Sequence, residues 1–75
     1  MSEVWVQLSS VQQVQRFVHT LTALSGEFEL VNGQFVLDAR SLMGIFGFDL
    51  SKPLRLKVYN DTPENLAAIK PFVTE

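Results

Sequence analysis

The chain has 75 residues, 8 acidic and 6 basic side chains for a formal net charge of −2, and no cysteine. That length suits one domain, 1–75, hiding roughly 60% of the surface its unfolded chain exposes. Disulfides and thiolate metal sites are excluded. The scattered basic residues argue against nucleic acid, and no apolar run approaches the roughly 20 residues that cross a bilayer.

The acidic start Met1-Ser2-Glu3 is unlike a signal peptide, so the expected setting is the cytoplasm. Val4, Val6 and Leu8 alternate with Glu3, Trp5 and Gln7, which predicts a strand with one face on a core. Trp5 falls on the polar side, either as a half-exposed aromatic lying on the sheet or as a stacking surface for a ligand. Ser10-Val11-Gln12-Gln13 has the spacing of a capping box. Val11, Val14, Phe17, Val18, Leu21 and Leu24 then share one helical face, with Gln12, Arg16, His19 and Ala23 opposite. Ser25-Gly26 supplies a stop.

Phe28 and Leu30 alternate with Glu27 and Glu29, and Phe35 and Leu37 with Gln34, Val36 and Asp38. Asn32-Gly33 between them is a strong hairpin signal. From Leu42 to Leu50 the chain places 6 large apolar side chains in 9 positions. One short helix opened by Ser41 cannot bury them all, so part of this run faces outward. Gly44 and Gly47 each cost about 1 kcal/mol in a helix interior, which predicts a short or irregular helix. At helical spacing Leu42, Met43 and Phe46 share one side, while Ile45 and Phe48 point toward the sheet.

Ser51-Lys52-Pro53 breaks this run. Leu54, Leu56 and Val58 alternate with Arg55, Lys57 and Tyr59 as a fourth strand. Thr62-Pro63-Glu64 opens a last short helix carrying Leu66, Ile69, Phe72 and Val73, which Pro71 ends or kinks. The expected fold class is α+β, in the order β-α-β-β-α-β-α. A four-stranded antiparallel sheet has helices on one face and Glu3, Gln7, Glu27, Glu29, Arg55 and Lys57 on the other. A ferredoxin-like βαββαβ sandwich shares that element order.

The string Asp38-Ala39-Arg40-Ser41-Leu42-Met43-Gly44-Ile45-Phe46 resembles the regulatory-serine helix of the histidine-containing phosphocarrier protein, HPr, of the bacterial sugar phosphotransferase system. The element order and the turn Val31-Asn32-Gly33 agree with it. The resemblance implies an open-faced sandwich with sheet order 1-4-2-3. The family's last helix is longer, which suggests a trimmed C-terminus.

The resemblance also places Ser10 where the family carries its phospho-acceptor histidine, with Gln12 and Gln13 where an arginine and a proline belong. A serine ester is far less labile than a phosphoimidazole, and an unactivated hydroxyl is a weak nucleophile. The one imidazole, His19, lies on the polar helix face. Ser41 matches the family's regulatory phosphorylation site, or is simply a helix cap. Arg40 beside it is positioned to pair with a phosphate, or is solvated. Arg40, Leu42, Met43 and Phe46 form the implied partner-binding set.

The expectation is therefore a regulatory or protein-interaction module with no cofactor and no metal, and not an enzyme. Ser10, Ser41 and His19 show no triad spacing, and Glu27, Glu29 and Asp38 read as surface strand residues. Implied partners are phosphotransferase-system enzymes, a serine kinase, a transcription regulator or a second copy of the chain. The alternative is an active phosphocarrier with an atypical acceptor.

Overall fold

Alternation writes the first strand directly. In β1 (Ser2–Val6) Val6 is buried and Trp5 is exposed. A computed structural model describes residues Met1–Thr74. The remaining strands are β2 (Phe28–Asn32), β3 (Phe35–Asp38), β4 (Leu54–Val58) and the two-residue β5 (Val73–Thr74). Among the described residues they form one antiparallel sheet in the order β3-β2-β4-β1-β5. The four-stranded sheet expected from the sequence is corrected to five strands. Val73 is not helical but extended opposite Val6, and the Gln7 N–H donates to the Phe72 carbonyl at 3.0 Å.

Register assigns the faces. Val4 pairs with Leu56, Leu56 with Leu30, and Leu30 with Leu37, giving one apolar row across the sheet. All three helices bury residues against this face: α1 (Val11–Thr22) contributes Val14, Phe17 and Leu21, α2 (Leu42–Phe46) Ile45, and α3 (Pro63–Ile69) Ile69. Each fully buried side chain of this size contributes about 1.5–3 kcal/mol. On the opposite face Trp5, Arg55, Val31 and Val36 form one row, and Glu3, Lys57, Glu29 and Asp38 a second.

The helix ends follow local chemistry. Ser10 caps α1 by accepting from the Gln13 N–H at 3.1 Å. The reciprocal bond runs one residue further back than the expected box. Gln13 Oε1 accepts from the Ser9 N–H at 2.7 Å and the Ser9 hydroxyl at 2.9 Å. Val11, in the first turn, is exposed rather than on the buried face. Thr62 caps α3 with Pro63 at its first position, where a missing N–H costs nothing. That helix stops at Ile69 and tightens into a 3-10 turn, Lys70–Phe72, around Pro71. Phe72, which the sequence reading put in the helix, instead lies edge-on to Phe17, ring centres 5.3 Å apart.

The hairpin turn is also displaced. Asn32 pairs with Phe35, so the two turn residues are Gly33 and Gln34, not Asn32 and Gly33. Gly33 has φ +62° and, among the described residues, no non-glycine residue has positive φ, the requirement of a type II′ turn and not of type I′.

Candidate functional site

The site implied by the sequence is the short helix α2 and its flanks. Ser41 caps it weakly, accepting from the Gly44 N–H at 3.3 Å, and is itself exposed. A Cβ on Gly44 would stand 2.9 Å from Ser41 Oγ and 3.1 Å from Leu37 Cδ2, so glycine permits the close seating of the helix. Gly47 ends it: its N–H donates to the Gly44 carbonyl at 3.0 Å. The helix is consequently five residues long.

That geometry sorts the apolar run. Ile45 is fully buried, and Leu42, Phe48 and Leu50 are partly buried against the core. Met43 is 81% exposed and Phe46 39% exposed. Among Leu42, Met43 and Phe46, the latter two turn to solvent, while Leu42 divides itself between core and surface.

Arg40 is adjacent in sequence but directed elsewhere. Its Nε donates to the Leu21 carbonyl at 3.0 Å, and its two terminal nitrogens donate to Gly26 at 3.0 Å and Leu24 at 2.8 Å. The guanidinium thus gathers carbonyls at and just beyond the C-terminus of α1, of which Leu21 also accepts from the Leu24 N–H at 3.1 Å,. Each of its nitrogens is already engaged inside the fold.

Ser10, on the other helix, is exposed, but its oxygen serves as the α1 cap. His19 is exposed in the last turn of α1. Among the described residues no three His, Asp or Glu side chains come together as metal ligands, and no helix is long and apolar enough to cross a membrane.

Two further features lie away from α2, and of their side chains the sequence reading had raised only Trp5, as a half-exposed aromatic or a stacking surface. A shallow cavity of about 310 Å³ opens on the helix-free sheet face, lined by Trp5, Val31, Asn32, Gly33, Pro53 and Arg55. Arg55 there lies 3.3 Å from Glu3 through its Nε. At the sheet edge Phe35 is 71% exposed and Val36 54% exposed. The signal for the second was present: two consecutive apolar residues in a strand place one on each face, and only one face is covered.

No protein-family model, no curated protein and no solved structure matches this chain.

Proposed function

We propose that this chain is an HPr-like protein related to the sugar phosphotransferase system, acting as a regulatory or protein-interaction module and not as a working phosphoryl carrier. Docking runs through residues 41–48, and Ser41 is the candidate for regulatory phosphorylation. The observation that carries this reading is the pair Met43 and Phe46, held exposed on a helix whose other apolar residues pack inward. A flexible thioether and an aromatic ring suit a protein interface. The adjacency of β1 to β4, β4 to β2 and β2 to β3 supports the HPr likeness; β5, outside β1, departs from it.

The hydroxyl at Ser10 has no base beside it among its hydrogen-bond partners and holds the α1 cap instead. It therefore lacks the activation a nucleophile needs. Arg40 acts as a brace for α1, and the docking set reduces to Leu42, Met43 and Phe46. The partners of this reading are phosphotransferase-system enzymes, a serine kinase or a transcription regulator in the cytoplasm.

Two assays test it. Incubated with the first enzyme of the phosphotransferase system and labelled phosphoenolpyruvate, the chain takes up no acid-labile label; label on His19 overturns the reading. With ATP and the serine kinase of that system, Ser41 accepts a single phosphate. Ser41→Ala blocks that transfer, and Phe46→Ser weakens binding to the kinase. No phosphorylation and no binding by the native chain would leave Ser41 as a cap alone.

A further inference from the structure

We propose that the cavity beside Trp5 and Arg55 binds a small planar carboxylate, its ring body against the Trp5 indole and its carboxylate on the Arg55 guanidinium. The site lies on the helix-free sheet face, away from residues 41–48, and goes beyond the docking reading above. The side chains of that face fall into two unlike rows. Glu3, Lys57, Glu29 and Asp38 are all charged, as contact with water favours, whereas Trp5, Arg55, Val31 and Val36 set one guanidinium among apolar groups.

The walls follow from register. Arg55 on β4 stands between Trp5 on β1 and Val31 on β2. Neighbouring strands lie about 4.8 Å apart, so the Trp5 and Val31 main chains are about 10 Å apart across the Arg55 stem. Pro53, just before β4, and Asn32 and Gly33 at the end of β2 complete the lining. Val31 is only 7% exposed although no helix covers it, while Trp5 is 52% exposed. The volume of about 310 Å³ stands at the lower end of the range of small-molecule sites. An engineered cavity of about 150 Å³ takes up benzene, so this one has room for two fused rings.

The guanidinium supplies the charge and an unmet donor. Arg55 Nε is buried and makes no hydrogen bond among the described residues. Glu3 Oε1 stands 3.3 Å from it, close enough for attraction but not aligned with the N–H. A guanidinium donates in a planar fork that fits a carboxylate, and here no acceptor takes the Nε–H. Both side chains of the pair are part-exposed, so Glu3 holds Arg55 weakly and exchangeably. Trp5 offers the apolar face against which a flat ring stacks. Arg55 repels a cationic ligand, and a small saturated anion leaves the indole wet. An uncharged ring leaves the guanidinium without its acceptor. A planar carboxylate meets both needs.

Titration of the full chain with 2-naphthoate, read in its nitrogen–proton spectrum, tests the site. Trp5 is the single tryptophan, so its indole N–H is one unambiguous signal on the cavity wall. The expected result is saturable movement of that signal and of the Val31, Asn32 and Gly33 signals, with a Kd of about a millimolar. At equal sub-saturating concentration, 2-naphthamide on the native chain and 2-naphthoate on Arg55→Gln each fill the site about tenfold less. Glu3→Gln binds 2-naphthoate about two- to fivefold more tightly, because it removes the competing carboxylate. Movement without saturation overturns the proposal, as do shifts confined to other surfaces, equal binding of acid and carboxamide, or an affinity indifferent to Glu3→Gln. If Arg55→Gln fails to fold, the comparison of acid with carboxamide on the native chain decides.

Discussion

The Arg40 guanidinium stands 5.0 Å from the centre of the Phe28 ring while its three nitrogens donate to the carbonyls of Leu21, Leu24 and Gly26. One side chain after β3 thereby fastens the end of α1 to the start of β2. Hydrogen bonds from a charged donor contribute about 1.5–3 kcal/mol, and a cation at a helix C-terminus adds a few tenths more. Arg40→Ala should lose about 2–3 kcal/mol in urea unfolding. Arg40→Lys should recover less than half, because an ammonium cannot reproduce the planar fork. Unchanged stability in Arg40→Ala would return this residue to the docking surface.

Asn65 is the one buried polar side chain among the described residues, 4% exposed, and its amide donates to the Ser25 carbonyl at 3.0 Å and the Asn60 carbonyl at 2.9 Å. It joins the loop after α1 to the loop after β4. Asn65→Ala should cost about 2 kcal/mol, since it strands those acceptors. Asn65→Asp should cost more, because it aims a carboxylate at them. In the same latch Gly26 has φ +94°, and any Cβ there would strike the Asn60 side chain. Gly26→Ala should therefore lose about 1–3 kcal/mol from backbone strain alone, read as a lower denaturation midpoint at constant slope.

Two carboxylates and a phenol set the pH dependence. The Ser2 hydroxyl, donating at 2.6 Å, holds Asp61 below its ordinary value of 3.8, helped by the N-terminal ammonium 3.3 Å away. The Ser51 hydroxyl and N–H do the same for Asp49. A depressed carboxylate stabilises the fold fully above the unfolded value, and that contribution is lost as pH falls through the folded one. Resistance to thermal unfolding should fall below about pH 4, and less steeply in Asp61→Asn. Tyr59 behaves oppositely: its hydrogen bond to Glu29 raises it above the ordinary 10.0. Its contribution is whole below 10.0 and disappears as pH climbs through the raised value,. Tyr59→Phe should remove that alkaline loss.

Met43 and Leu42 are neighbours with different duties. Met43 is 81% exposed and Leu42 packs partly against the core. Met43→Ser should leave unfolding free energy within about 0.5 kcal/mol of the native chain. Leu42→Ser should lower it by more than 1 kcal/mol, within the usual range of about 0.5–3 kcal/mol. Equal effects from both would mean that α2 does not sit as described.

What periodicity governs was legible from residues alone. Val4 and Val6, the Leu54-Leu56-Val58 set and the Val14-Phe17-Leu21 stripe each repeat at the spacing of their element, and burial follows that spacing,. Features set by partners far along the chain were not legible. Arg40 reads as a solvated base beside Ser41 because the carbonyls it holds lie 14 to 19 residues earlier. Asn32-Gly33 reads as the turn from local preference. The hairpin instead closes one residue later, with Leu37 beside Leu30 on the core face and only glycine needing positive φ. Val73–Thr74 is too short to carry any alternation, so its pairing with β1 had no local trace. For α2 the spacing indicated which side chains turn outward, but a five-residue helix let Leu42 tuck inward as well.

The position of β5 has a consequence for local opening. It lies along β1 opposite Trp5 and Val6, and the Gln7 N–H donates to the Phe72 carbonyl. Detachment of Phe72–Thr74 is therefore read near the other end of the chain, as lost exchange protection of the Gln7 amide.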